Sequence, residues 1–220
     1  MEKIDFNAED TRFLPAKRSG LDVFLAQNKI LSESPMLEEI FSKIPLQFQI
    51  LNNDRQVVYM NQKLKDELES KGIELEYGYR PGEIKNCQNA FLESGGCGTS
   101  ENCQYCNIMK CLLEAKLLKS PASQETFFIS KIDGKSEMYN YMVTSIPFRL
   151  QYEDFVLLTF EDIGDKKRKE QLERTFFHDL LNKVNSISGF TDLMRMDPET
   201  EDNQYVKMLI RGVSELAVEI

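Results

Sequence analysis

Apolar residues along the chain recur at two spacings, and each predicts a kind of element. Leu21, Phe24, Leu25 and Leu31 follow Gly20 at helical spacing and predict a short amphipathic helix. Ser34-Pro35, with Glu38 and Glu39 behind it, reads as the start of a second helix ending near Ile44-Pro45. LQFQIL (46–51) alternates apolar and polar residues; Asn52-Asn53-Asp54 is a turn, and QVVYMN (56–61) is a β-rich return, so the two predict a hairpin. QKLKDELESK (62–71) is charged with helical spacing, and 72–105 is rich in loops. Cys106 to Leu118 predicts a helix with Ile108, Cys111, Leu112, Ala115 and Leu118 on one face. Three strand signals follow, at 125–132, 137–148 and 154–163, with Asp133-Gly134 as a tight turn between the first two. This order predicts an α+β domain over 35–163, built on a five-stranded antiparallel sheet with helices.

After Ile163 the period changes. Asp165 to Glu170 is a charge run, and from there to Met196 the chain has no proline and one glycine, Gly189. Leu172, Phe176, Leu180, Val184, Ile187, Phe190 or Thr191, and Met194 step by three and four, which is a coiled-coil-like seam. A helix of about 30 residues would be ~45 Å long and needs a partner to cover its stripe. Residues 197–202 form a turn, and a second helix begins near Asn203, carrying Tyr205, Val206, Leu209, Ile210, Val213 and Leu216. Such an αα-hairpin is too thin to stand alone, which predicts dimerisation into a four-helix bundle. The chain therefore divides into an N-terminal helical extension (1–34), a sheet domain (35–163) and a helical hairpin (164–220).

Composition narrows the function. With 220 residues, 41% of them hydrophobic, the chain is long enough for a packed core and too apolar for disorder. It has 27 basic against 36 acidic residues, a formal charge of −9, which argues against a general nucleic-acid or anionic-membrane binder. No apolar run approaches a membrane span of ~20 residues, and MEKIDFNAED lacks a signal-peptide core, so a cytoplasmic protein is expected.

The cysteines change the picture most. All five lie between Cys87 and Cys111, an odd, clustered set that suits metal or redox chemistry better than a disulfide framework. The one histidine, His178, is remote in sequence, so a metal site would be mainly thiolate. Cys103 and Cys106 form a C-x-x-C pair at a helix start, where both thiolates can meet one metal and the helix N-terminus lowers their pKa values. Cys97 sits in Gly95-Gly96-Cys97-Gly98, whose backbone N–H groups can approach a sulfur. Cys87 could complete a four-thiolate set, while Cys111 falls on the apolar helix face and reads as a buried small hydrophobe. Four thiolates suit an iron–sulfur cluster or zinc, and metal-free thiols that form a disulfide are a third option. Tyr77, Tyr79, Phe91 and Tyr105 read as packing, and the absence of histidine here disfavours a histidine-ligated haem.

Two resemblances add to this reading. FFHDLLNKVNSISGFTDLM (176–194) resembles the phospho-acceptor helix of sensor histidine kinases, usually H-E-L-R-T-P-L-x-x-I-x-G-F-x-x-L. His178, Asp179, Leu180, Asn182, Val184, Ile187, Gly189, Phe190 and Leu193 match or substitute closely; Lys183 replaces the proline and Leu181 the arginine. The resemblance implies that His178 accepts the γ-phosphate of ATP, that Asp179 takes the other ring proton, and that Asn182 orients a water for dephosphorylation of a partner. No ATP-binding segment follows within these residues, so ATP would come from a module outside them. Residues 35–163, ending in FEDIGD (160–165), resemble a PAS domain, and the segment from Pro81 to Ala115 resembles a cysteine-rich PAS subgroup. In that subgroup the first four cysteines recur, and the Cys111 position holds a small apolar residue. Together they imply the sensor portion of a homodimeric histidine kinase, with a response regulator receiver domain as partner. The rival reading is a zinc-stabilised PAS module that only dimerises or docks partners. A dithiol redox enzyme using Cys103 and Cys106 is a third.

Overall fold

A computed structural model describes residues 4–5, 8–73, 77–132, 135–196, 207–208 and 211–213. The chain divides into two compact units, 1–164 and 165–220.

In the first unit, helices α1 (Leu21–Ser32) and α2 (Pro35–Lys43) precede strands β1 (Gln47–Leu51) and β2 (Val57–Met60). Helices α3 (Gln62–Ser70) and α4 (Pro81–Ile84), two 3₁₀ turns at 88–91 and 101–105, and helix α5 (Asn107–Leu118) then lead to β3 (Ala122–Ile132), β4 (Lys135–Leu150) and β5 (Glu153–Asp162). All strand pairs are antiparallel, in the order β2-β1-β5-β4-β3. The expected five-stranded antiparallel sheet with helices is therefore what the sequence forms.

Local chemistry sets the joints. Asn52 accepts backbone N–H groups of Asp54 and Gln56 on its side-chain oxygen, each at 3.0 Å, which closes the turn between β1 and β2. Asn61 caps α3 by accepting from Leu64, and its amide donates to the Leu46 carbonyl at 2.8 Å, tying the helix to β1. Gln151 and Tyr152 both take left-handed backbone angles (φ 47° and 69°), the geometry of a two-residue hairpin turn between β4 and β5. The Asp133-Gly134 turn lies outside the described residues; pairing on either side of it reaches Ile132 and Lys135.

The sheet is covered on both faces. Outward-facing Phe48, Ile50, Val58 and Phe155 pack with Leu31 of α1 and Phe41 of α2. Inward-facing Leu51, Val143, Leu158 and Phe160 pack with Leu64 and Leu68 of α3 and Met109, Cys111 and Leu112 of α5. The N-terminal extension thus supplies one core layer, and Gln49, on the polar side of the LQFQIL alternation, is fully buried on the other.

The second unit contains α6, which runs Gly164–Met196 without a break. Leu172, Phe176 and Val184 of its seam are exposed. Of the second predicted helix, residues 207–208 and 211–213 are helical, and Gly212 lies against Ile187 of α6; the rest falls outside the described residues.

Phe48 is fully buried in the outer layer. Replacing it with alanine removes a ring that packs on Phe41 at 5.2 Å. Phe48→Ala is expected to cost about 3–5 kcal/mol of stability by chemical denaturation, most of it as a shift in midpoint at constant slope.

Candidate functional site

The first candidate site is a cavity of about 40 Å³ on the inner side of the sheet. Cys87, Cys97, Cys103 and Cys106 all line it, with Arg55, Arg80 and Lys85, and apolar carbons from Met109, Leu112, Leu158 and Phe160. The fifth cysteine stands apart: Cys111 is fully buried in the core, and its thiol faces the carbonyls of Ala122 (3.1 Å) and Val143 (3.6 Å). No disulfide joins the five.

Each thiol is carried by a different local device. Cys87 precedes a 3₁₀ turn, and the N–H groups of Asn89 and Ala90 face its sulfur. Its backbone also bridges to Ser130 at the edge of β3. Cys103 lies within the second 3₁₀ turn, and Ser100 Oγ is 3.5 Å from its sulfur. Cys106 caps α5, with the N–H groups of Ile108 and Met109 facing its sulfur. Cys97 donates its own N–H to Glu83 Oε1 at 2.8 Å. Gly82, from α4, closes on its sulfur: a Cβ there would come within 2.7 Å.

The expected lowering of thiol pKa values does not hold for Cys106. Burial pushes it up, and the two helix N–H donors only partly oppose this. Cys87 is pushed up to about 11, again by burial first. The Cys97 thiol is also raised, by burial and then by the nearby Glu83 carboxylate. With protein atoms alone around them, these sulfurs favour the protonated form; a bound cation reverses that preference. Among the described residues, no three His, Cys, Asp or Glu side chains converge as a single metal ion requires. The four thiols share one cavity.

A buried ionic network, not foreseen from the sequence, holds this arrangement. Glu83 has no side-chain exposure and pairs with Arg18 through both oxygens, at 2.9 and 2.6 Å. It also accepts the N–H of Arg80 at 2.7 Å and that of Cys97. Gly96, with φ 82°, passes so close that a Cβ would fall 2.2 Å from Glu83 Oε1, a position open only to glycine. Arg80 is fully buried and donates to the carbonyls of Cys97 (3.0 Å), Asp54 (3.1 Å), Ala16 (3.0 Å) and Lys17 (2.9 Å). Residues 12–14 add backbone bonds to Thr99 and Gly98, at 2.9–3.1 Å. The segment before α1 is therefore a strap across the cysteine loop. The signal available in the sequence was R-P-G-E (80–83), a helix start with glutamate at the third position, placed to accept the N–H of the residue before the helix.

Of the aromatic residues expected to serve as packing, Tyr77 and Tyr79 do so and Tyr105 does not. Tyr77 packs edge-on against Phe24 of α1, Tyr79 against the inner core, and Tyr105 is exposed.

The second candidate site is on α6. His178 and Asp179 have exposed side chains, and His178 Nδ1 is 3.2 Å from Asp179 Oδ1. Asn182, one turn on, brings its amide nitrogen to 3.2 Å from Nδ1 and 3.4 Å from Nε2. The three residues predicted to act together are thus within reach of one another. Asp162 accepts the N–H of Gly164 at 2.8 Å and so caps α6. The next residue bonds back into the sheet, Ile163 N–H to the Asn140 carbonyl at 3.0 Å.

No family model and no curated protein matches the chain. Among solved structures, it is similar to the PAS domain of nitrogen regulation protein NR(II) from Vibrio parahaemolyticus: 14% identity, 59% of this chain, 100% of that one, TM-score 0.39. The PAS domain of an HTR-like protein from Haloarcula marismortui gives 17% identity over 60% of this chain and 97% of that one, TM-score 0.35. The PAS domain of Bordetella pertussis BvgS gives 14% identity over 66% and 94%, TM-score 0.34. No described helix is long and apolar enough to cross a membrane.

Lys85 offers a test of the cavity wall. It is 7% exposed, with Nζ 3.0 Å from Gln47 Oε1, 3.8 Å from Glu67, and over the rings of Tyr141 and Phe160. Burial, partly opposed by Glu67, lowers its pKa from 10.5 to about 8. Between those values the unfolded chain holds more protons than the folded one, so this group's contribution to stability rises with pH across that window. The stability of the wild type relative to Lys85→Met is expected to increase from pH 7 to pH 10 in urea titrations. A difference that stays flat with pH would refute the assignment.

Proposed function

We propose that the chain is the sensor and phospho-acceptor portion of a two-component histidine kinase, controlled by a cysteine-bound iron–sulfur cluster. The observation that carries this reading is the group on α6: an exposed imidazole on an unbroken helix, with a carboxylate at Nδ1 and an amide one turn on. With Nδ1–H donating to Asp179, the lone pair rests on Nε2, which is the nucleophilic arrangement. In the reaction Nε2 attacks the γ-phosphorus of ATP held by another module, the bond to ADP breaks, and ADP leaves with its electron pair. The phosphoryl group then passes to an aspartate of a response regulator receiver domain. The Asn182 amide is suited to orient the water that removes phosphate from that partner.

The cavity supports the sensory half. Four cysteines lining one cavity can ligate a polynuclear centre, and the basic wall suits its negative charge. When bound, such a cluster would supply one-electron redox chemistry or sensitivity to oxygen. Cavity residues Leu158 and Phe160 belong to β5, whose end caps the start of α6, so a change in the cavity has a direct covalent route to the helix. The exposed seam of α6 is the surface on which a homodimer would form.

Anaerobic purification with iron, zinc and acid-labile sulfide analysis tests the centre. Brown protein with iron and matching sulfide is expected. Cys103→Ala or Cys106→Ala should lose it, and Cys111→Ala should keep it. Colourless protein with one zinc per chain would transfer the assignment to the zinc-stabilised docking module. His178→Gln should abolish phosphate acceptance from an intact kinase supplied with ATP; acceptance that persists in this variant would end the phospho-acceptor assignment.

A further inference from the structure

The charges buried around the cavity do not balance. Arg18, Arg55, Arg80 and Lys85 are buried cations, and Glu83 is the one buried carboxylate among the described residues. Arg18 is matched by Glu83, and Lys85 leans on Glu67. Arg55 and Arg80 are left with neutral carbonyls as their hydrogen-bond partners. Asp54 and Glu83 act on Arg55 from a distance, and Asp54 Oδ2 is taken by Ser19 Oγ at 2.6 Å. A guanidinium does not release its proton under these conditions, so the wall holds more buried positive than negative charge, with neither Arg55 nor Arg80 in direct contact with a carboxylate through its side chain.

Arg55 is also incompletely bonded. It is 9% exposed and donates through Nη2 to the Pro15 carbonyl at 2.6 Å. Its buried Nε–H has no partner, and the side chain lines the cysteine cavity. Its backbone is held in the left-handed region, φ 66°, which a non-glycine residue adopts at a cost. Gly98, next to Cys97, is the backbone neighbour of this side chain: a Cβ there would sit 3.4 Å from Arg55 Nε. A strained backbone, an unpartnered donor and a buried charge without a directly bonded carboxylate therefore coincide in one residue that lines the cavity with the thiols.

We propose that Arg55 is the positioning residue that sets the reduction potential of the centre, its Nε–H directed at the Cys97 side and its charge stabilising the reduced form. This rests on the iron–sulfur reading above. A centre with four thiolates is anionic and gains one more negative charge when it takes up an electron. A fixed cation and a hydrogen bond from the wall favour that more negative state and raise the potential. Arg80 supplies background charge, but its guanidinium donors are committed to backbone carbonyls, so the donor role falls to Arg55.

The test is an anaerobic redox titration, with dithionite as reductant, of the full chain as Arg55→Gln, Arg55→Lys and the exposed control Lys29→Gln on α1. Arg55→Gln should lower the equilibrium constant for reduction about tenfold, a 59 mV fall for a one-electron couple. Arg55→Lys keeps the charge without the fork and should fall by less; Lys29→Gln should match the wild type. Should Arg55→Gln not fold, Arg55→Lys carries the test through its smaller fall. Full iron and sulfide with an unchanged potential in the Arg55 variants would overturn this role and leave the cluster standing. Wild-type protein without iron or sulfide would overturn the cluster itself.

Discussion

A carboxylate sealed from water organises the cysteine half of this protein. Moving an ionised glutamate into the interior costs several kcal/mol unless its oxygens are fully engaged. Glu83 meets that demand by drawing donors from separate parts of the chain: the Arg18 side chain from the strap, the Arg80 N–H from its own turn and the Cys97 N–H from the cysteine loop. Losing any one of these contacts leaves a buried carboxylate with fewer donors than it needs. The strap, α4 and the cysteine loop are therefore fixed together before any cofactor is considered. This explains how a loop with little apolar side-chain volume presents its thiols at defined positions.

The same demand propagates outward. Arg80 fills the space between the strap and the β1–β2 turn with hydrogen bonds to carbonyls, and Arg55 closes the cavity from that turn. The cavity is lined by Leu158 and Phe160 of β5, the strand that leads into α6. At the end of that strand Asp162 caps the helix and Ile163 bonds to β4.

Periodicity was sufficient for the element order, because strands and amphipathic helices write their burial into sequence spacing. It was insufficient for what covers them. The LQFQIL alternation suggests one wet face, yet Gln49 is fully buried, because α1 and α2 cover one side of β1 and the helices after β2 cover the other. The four cavity cysteines were legible from type and spacing, and so was the separateness of Cys111, which follows from its helical face. Their pKa values were not: a helix N-terminus suggests a lowered value, and burial outweighs it for Cys106. The arginine network is not legible in the sequence, because Arg18, Arg55 and Arg80 are scattered along it and resemble ordinary surface cations. Long-range ion pairing has no period.

One further property follows from the placement of Cys87. Its backbone bridges to Ser130, and Lys131 N–H donates to the Asn86 carbonyl at 3.0 Å, so this short segment covers part of β3, the outer strand of the sheet. An uncovered outer strand is a template for pairing with a neighbouring chain. The residue that offers sulfur to the cavity thus doubles as a guard against polymerisation. A chain whose cysteine loop comes loose would present that strand, and its survival in a crowded cell would be decided by how quickly the loop is pinned again.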